Sequence, residues 1–448
     1  MKGKCKMEIK LSDHFTYRKL IRFTLPSIAM MIFTSVYGVV DGFFVSNYVG
    51  KTPFAALNFI MPFIMMLGTV GFMFGTGGSA LVSKTMGEQD MEKAQRLFSL
   101  FIYFPAALSA VVSALGIIFL PQVAALLGAN GDMLDYCVLY GRIVLAALPF
   151  FTLQMEFQTF FVTAEKPNLG FIVTVGAGCV NMVLDWLFVA VFEWGLAGAA
   201  LATATSQAVG GIVPIIYFLH KNTSLLKLTK TRFDGRALLR ATTNGFSELL
   251  SNVSMSLVGM LFNVQLMKYA GQNGVAAYGT IMYIDFIFFG TFIGYAIGTA
   301  PVIGYHFGAK NHTELKSLLK KSLILMSVVG VAMLIFAQVM ARPLAMIFSS
   351  YDKALLDMTV HGFRIYSLSF IVVGISIFGS SFFTALNNGF VSAAISFLRT
   401  VVFEVVLVLL LPPLWGLDGI WLSIIIARLL AMIVTVLFII GNQKKYNY

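Results

Sequence analysis

The sequence predicts an all-α polytopic membrane protein, with twelve transmembrane helices in two six-helix bundles related by a pseudo-two-fold axis along the membrane normal. Three observations carry this. Only 11% of the 448 residues are charged and 58% are hydrophobic, whereas a soluble domain keeps about 25% of its residues charged. Twelve stretches reach the roughly 20 mostly apolar residues that a spanning helix needs. A set of short motifs also returns at one offset along the whole chain. Apolar stretches full of Gly, Met and Phe, without strict alternation, argue for helices over a membrane barrel.

In the first half, span 1 (20–48) follows Lys2, Lys4, Lys6, Arg18, Lys19 and Arg22. Its long apolar run lacks a small-residue cleavage site, so it is expected to stay as a helix rather than act as a cleavable signal. Pro26 lies early in it and should weaken or kink its inner end. Span 1 closes on Asn47-Tyr48-Val49-Gly50. Span 2 (54–82) opens on Ala55-Ala56, with Gly77 and Gly87 bracketing its end. Span 3 (97–120) follows Lys84, Lys93 and Arg96; span 4 (136–163) carries Arg142 and Phe160-Phe161. Span 5 (169–192) follows Lys166, and span 6 (196–219) opens on Gly195-Leu196-x-Gly198.

The second half repeats this plan. Lys268-Tyr269-Ala270-Gly271 closes span 7 (245–270) and Ala276-Ala277 opens span 8 (275–303), which ends between Gly298 and Gly308. Span 9 (318–341) follows Lys310 and Lys316. Arg364 and Phe382-Phe383 mark span 10 (360–386). Span 11 (391–413) leads to Gly416-Leu417-x-Gly419 at the start of span 12 (417–441). Six spans per repeat is an even number, so both halves enter the membrane from the same side. The expected organisation is an N-terminal bundle (1–219), a basic linker (220–244) and a C-terminal bundle (245–448).

The net charge of +11 could suit nucleic acid, but its placement does not. With the N-terminus inside, 23 of the 31 Lys and Arg fall on the cytoplasmic side. The outer side holds Lys51, Arg142, Lys268, Arg342, Lys353 and Arg364. That bias follows the positive-inside rule. A multi-pass protein of the inner (plasma) membrane with both termini cytoplasmic is expected, with no nucleic-acid partner. Cys5, Cys137 and Cys179 give neither metal spacing nor a disulfide framework. Gly-x-Ser-x-Gly and Walker A sequences are absent, so no enzyme and no cofactor is expected.

Ionisable residues inside a membrane are costly and mark function. Asp41 lies in span 1 and Asp185 in span 5, with Asn181 one turn before Asp185. Thr203 and Gln207 sit one turn apart in span 6. Asp41, Asp185 and Thr203 each lie seven residues from an outer helix end, about 10 Å deep at 1.5 Å per residue. Two carboxylates, an amide and a hydroxyl at one level form an oxygen cage for a small hard cation such as Na⁺, or equally a proton site shared by two acids. The plainer account is that each Asp hydrogen-bonds a neighbouring helix. The shared depth weighs against it, as do the matching second-half positions, Phe262 and Val406 or Leu407. The second half carries Asp285 in span 8, Arg399 and Glu404 in span 11, and Arg428 in span 12. Glu404 and Arg428 fall at a similar depth and are expected to form a buried pair that fixes packing; a second proton or substrate station is the functional alternative.

The chain resembles the MATE (multidrug and toxic compound extrusion) family over nearly its whole length. The resemblance rests on the 6+6 repeat, Leu25-Pro26-Ser27, and Val39-Val40-Asp41-Gly42-Phe43-Phe44. It continues through Gly75-Thr76-Gly77-Gly78-Ser79, Met86-Gly87, Asn181-x-x-Leu184-Asp185 and Gly198-Ala199-Ala200-Leu201-Ala202-Thr203. Pro26, Tyr37, Asp41, Asn181, Asp185 and Thr203 resemble the first-bundle set of the DinF-like branch. There the resemblance implies a Na⁺ or H⁺ site beside a substrate chamber. Gln158 stands where some relatives carry Asn, and Gln207 would line the same chamber. The acidic pair of NorM-like members in helices 7 and 10 is not evident. The resemblance implies a monomeric, cation-coupled (H⁺ or Na⁺) antiporter that exports amphipathic, often cationic organic molecules across the lipid bilayer by alternating access. The alternative is a lipid-linked precursor flippase of similar two-bundle architecture.

Overall fold

A computed structural model describes residues 9–349 and 352–448; Lys2, Lys4, Cys5 and Lys6 lie outside the described residues. The first half contains α1 (Tyr17–Phe44), α2 (Lys51–Gly87), α3 (Met91–Leu127), α4 (Gly131–Ala146), α5 (Leu148–Thr163), α6 (Pro167–Asp185) and α7 (Gly195–Leu219). The second contains α8 (Gly235–Gly308), α9 (His312–Ser349), α10 (Lys353–Ser367), α11 (Phe370–Ala385), α12 (Gly389–Phe397), α13 (Phe403–Leu410) and α14 (Pro412–Tyr446). Among the described residues nine helices are long and apolar enough to cross a membrane. The pairs α4/α5 and α10/α11, bent by 55° and 52°, act as two more spans. Helix α8 has 74 residues, and its break at Gly271 (φ 62°, ψ −154°) divides it into two. This completes the predicted twelve.

The repeat is visible in the backbone itself. Left-handed φ angles recur in matched positions: Gly50 with Gly271, Gln89 with Lys310, Glu165 with Asn387, and Gly195 with Gly416. At Gly50 and Gly271 the chain reverses between consecutive spans at φ 115° and 62°, a conformation that a Cβ would strain.

Two local expectations change. Helix α1 runs through Pro26 without a break; its irregularity comes later, as a π-helical turn over Val45–Val49. The linker is shorter than 220–244, because α8 already starts at Gly235. Asp234 caps it, accepting from the backbone N–H groups of Arg236 and Ala237 at 3.0 Å each. The remaining linker is pinned under α3: Thr229 N–H donates to Ser99 Oγ (2.8 Å), and Thr231 Oγ1 to the Arg96 carbonyl (2.9 Å).

The halves meet along α1 and α2 on one side and α8 on the other. At the end carrying the basic loops the contact is between backbones. A Cβ at Gly87 would strike the Tyr305 carbonyl, and one at Gly308 would strike the Lys84 carbonyl. These are the same contact seen from each side of the pseudo-two-fold. Farther along, Gly294 faces Ser27 and Ile28. Hydrogen bonds cross the seam from Asn387 Nδ2 to the Ala80 carbonyl (3.3 Å) and from Gln89 Nε2 to Tyr305 Oη (3.1 Å). One hydrophobic cluster spans this joint and the second half. A separate cluster (Val45, Leu57, Ile60, Tyr140, Val189, Leu196 among others) fills the opposite end of the first half.

Candidate cation site

Helices α1, α4, α6 and α7 bring the site together beside that second cluster. The carboxyls of Asp41 and Asp185 interact directly, and the Thr203 hydroxyl faces Asp41. These approaches fall short of well-formed hydrogen bonds. Asp41 Oδ1, both Asp185 oxygens, Asn181 Nδ2 and Thr203 Oγ1 are buried without a protein hydrogen-bond partner. Asp185 is fully buried and Asn181 nearly so. Such a concentration of unsatisfied polar atoms is expensive, and it is held in place by a close-packed surround. Among the described residues no group of three or more His, Cys, Asp and Glu could hold a metal ion. A cation here would rest on two carboxylates, one amide and one hydroxyl.

The local backbone explains how the carboxylates are aimed. Asp185 is the last α-helical residue before a π-helical turn, Trp186–Val191. The carbonyl of Asp41 accepts from Val45 N–H, where α1 passes into its own π-helical turn. A third such turn, Leu398–Val402, contains Arg399. A π turn widens the helix and often marks a functional position. Each of the three described here adjoins or contains an intramembrane charge.

The remaining first-half residues separate into neighbours and outliers. Tyr37, one turn before Asp41, is within its electrostatic reach and packs on the backbone at Gly178. Gln207 is buried with Oε1 unpartnered. Gln158 is buried with Nε2 unpartnered, but it is not among the groups acting on either carboxyl. Pro26 belongs to the seam, next to Ser27, and not to the cage.

The sequence reading missed two residues. Tyr140 of α4 is fully buried, faces Thr203 and lies within reach of both carboxylates. Its hydroxyl also approaches Met61 Sδ (3.9 Å). Its repeat partner is Gly362, whose space is filled by Trp421. That asymmetry matches Asp41 against Phe262 and could have flagged it. Glu156 of α5 is a third intramembrane carboxylate in the first half, and its rarity in a span is the same signal that marks Asp41 and Asp185.

In the second half the expected Glu404–Arg428 pair does not form. Arg428 instead bridges to Asp285 Oδ2 (3.7 Å), donates to Ser369 Oγ (2.7 Å) and Tyr366 Oη (2.5 Å), and stacks over Phe289 and Tyr366 (4.9 and 4.7 Å to the ring centres). Equal depth places two residues at one level but does not say which faces of their helices meet. Glu404 lies within electrostatic reach of both Arg428 and Arg399. Arg399 Nη2 approaches Ser251 Oγ (3.5 Å). Between α1, α8 and α9 an apolar cleft of about 630 Å³ is lined by Val36, Val40, Tyr283, Phe288, Met333 and Phe336.

Known proteins are similar to this chain over nearly its whole length. The multidrug export protein MepA of Staphylococcus saprophyticus is 25% identical over 428 residues, covering 94% of this chain and 93% of its own length. A MATE solved in complex with MaL6 superposes with a TM-score of 0.92 at 21% identity, over 97% of this chain and 98% of that one. A multidrug resistance MATE family transporter of the MOP superfamily, in an outward-facing conformation, gives 0.89 at 22% over 97% of each chain. The MatE family profile matches twice, at residues 26–187 and 249–410, once in each half. The chain belongs to the MatE family.

Proposed function

We propose that the protein exports amphipathic, cationic organic compounds in exchange for H⁺ or Na⁺, by alternating access between an N-terminal bundle (1–219) and a C-terminal bundle (245–448) joined by the linker. The observation that carries this reading is the Asp41–Asp185 pair. Two carboxylates in contact inside a bundle cannot both hold full charge cheaply, so they share one cation between them. Asn181, Thr203 and Tyr140 supply neutral oxygen and nitrogen around them. Antiport requires that ion and substrate favour opposite states. A pair that changes charge on gaining its cation meets that requirement, because once neutral it no longer attracts a cationic drug. The curated relatives are multidrug exporters, which supports the substrate class.

Access follows from the seam. Backbone contacts at Gly87 and Gly308 close the basic end, taken as cytoplasmic by the positive-inside rule; on this reading the cage exchanges its cation with the outer side while that end is closed. The deciding test is uptake of ethidium into inverted proteoliposomes under separately imposed pH and Na⁺ gradients. Asp41→Asn and Asp185→Asn should each abolish gradient-driven transport with protein yield preserved. Parental transport in either variant would remove the cage from the mechanism.

A further inference from the structure

Glu156 lies in the middle of α5, away from the groups assigned to the cage. It is fully buried, and neither carboxyl oxygen has a protein hydrogen-bond partner. Its backbone is pressed against α2, where a Cβ on Gly75 would come within 3.2 Å of Glu156 Cα. One turn earlier, the Thr152 hydroxyl is also buried and unpartnered. Helices α2, α3, α6, α7 and α8 pack around α5, and none of them presents a charged or titratable group within electrostatic reach of Glu156. The repeat partner of Glu156 is Phe378, a buried apolar side chain, so the fold does not need an acid at this position. A lone carboxylate inside a membrane bundle is costly, and such residues mark proton pathways; carrying a proton removes the charge.

We propose that Glu156 is a second proton-carrying site of the first bundle, separate from the Asp41–Asp185 cage and exchanging with the cytoplasmic side. It lies seven residues from the Thr163 end of α5, about 10 Å along the helix. That end is at the basic face, where Ser79 Oγ and Thr163 Oγ1 are 2.8 Å apart. The balance is simple: a proton taken up while the bundle is open to the outside leaves the carboxyl for cytoplasmic water when the basic end opens. The substrate moves the opposite way. This inference rests on the export reading above and extends it from one coupling site to two.

The test uses the full-length protein. Buried neutral carboxyls react with N,N′-dicyclohexylcarbodiimide, so Glu156 should carry the adduct in a peptide map, with labelling that declines as pH rises. Glu156→Gln should retain parental yield and ethidium binding but lose ethidium export driven by a pH gradient. Export at the parental rate in Glu156→Gln would overturn the proposal. If that variant does not fold, the labelling of the parental protein decides alone, and absence of the adduct at every pH overturns it. Asp41→Asn separates the two ideas. If it still exports ethidium, the cage assignment fails, whereas Glu156 labelling in that variant tests the second site independently.

Discussion

Replacing Gly294 by Ala should loosen the joint between the two bundles. The added Cβ would sit 2.5 Å from Ile28 Cα, 2.7 Å from the Ser27 carbonyl oxygen and 2.9 Å from Ile28 N. Ordinary contact begins near 3.4 Å, so α1 and α8 must separate by roughly 0.9 Å at a point where every obstructing atom is backbone. Overpacking of this kind costs about 1–3 kcal/mol. If the cost falls only on the state in which this seam is closed, the balance between closed and open seams shifts about 5- to 150-fold. The assay is maleimide labelling of Ser83→Cys in a background lacking Cys5, Cys137 and Cys179. Ser83 is buried against Gly304 across the same seam, so its labelling rate reports opening. Gly294→Ala should raise that rate and lower the melting temperature. Gly279→Ala, whose Cβ would meet nothing within 4 Å, should do neither. Parental labelling and melting in Gly294→Ala would refute the inference that this contact holds the bundles closed.

Other outcomes follow from the same packing. Arg428→Met strands the buried Asp285 and should destabilise the protein by about 3–5 kcal/mol, with Asp285→Asn in the same chain recovering part of the loss in a thermal melt. Glu404→Gln should cost less than Arg428→Met in that assay, because Glu404 forms no ion pair among the described residues. Asp234→Ala removes the α8 cap and should lower stability by about 1 kcal/mol, measured by detergent-micelle unfolding. Cys probes beside Lys230 and Lys316 should resist a membrane-impermeant maleimide applied to intact cells, and one beside Lys353 should react; external labelling near Lys230 would invert the orientation.

The architecture was legible because it is written in periodic features. Apolar length set the spans, and the offset of Gly50 to Gly271 and Gly195 to Gly416 set the repeat. Each of those glycines proved to hold a backbone angle that L side chains avoid. The closeness of Asp41, Asp185 and Thr203 was legible for a different reason. A charge in a span is rare, and residue counting along a straight helix gives its depth within a few ångströms. What failed was azimuth. Depth brought Glu404 level with Arg428, but the face of α14 that carries Arg428 turns toward Asp285 and Tyr366. Tyr140 was missed because a phenol in a span looks like any other aromatic until its neighbours are known. The start of α8 was misplaced because an amphipathic extension beyond the apolar core carries charge and reads as loop.

The two halves share a backbone plan but not a chemistry, and the difference has a direction. Matched glycines and the matched contacts of Gly87 and Gly308 give both bundles the same way of closing on each other. The buried polar atoms divide unequally. In the second half Arg428 has a carboxylate, two hydroxyls and two aromatic faces, so its charge is compensated whatever the solution outside. In the first half Asp41, Asp185 and Glu156 have no cationic side chain among their interacting groups. A buried cation compensated in this way, like Arg428, responds little to pH or Na⁺. A bundle whose acids lack such partners must draw its compensating cation from water. On the proposed mechanism the second bundle is therefore the stable partner against which the first one moves, and ion dependence should follow substitutions in α1, α5 and α6 rather than those around Arg428.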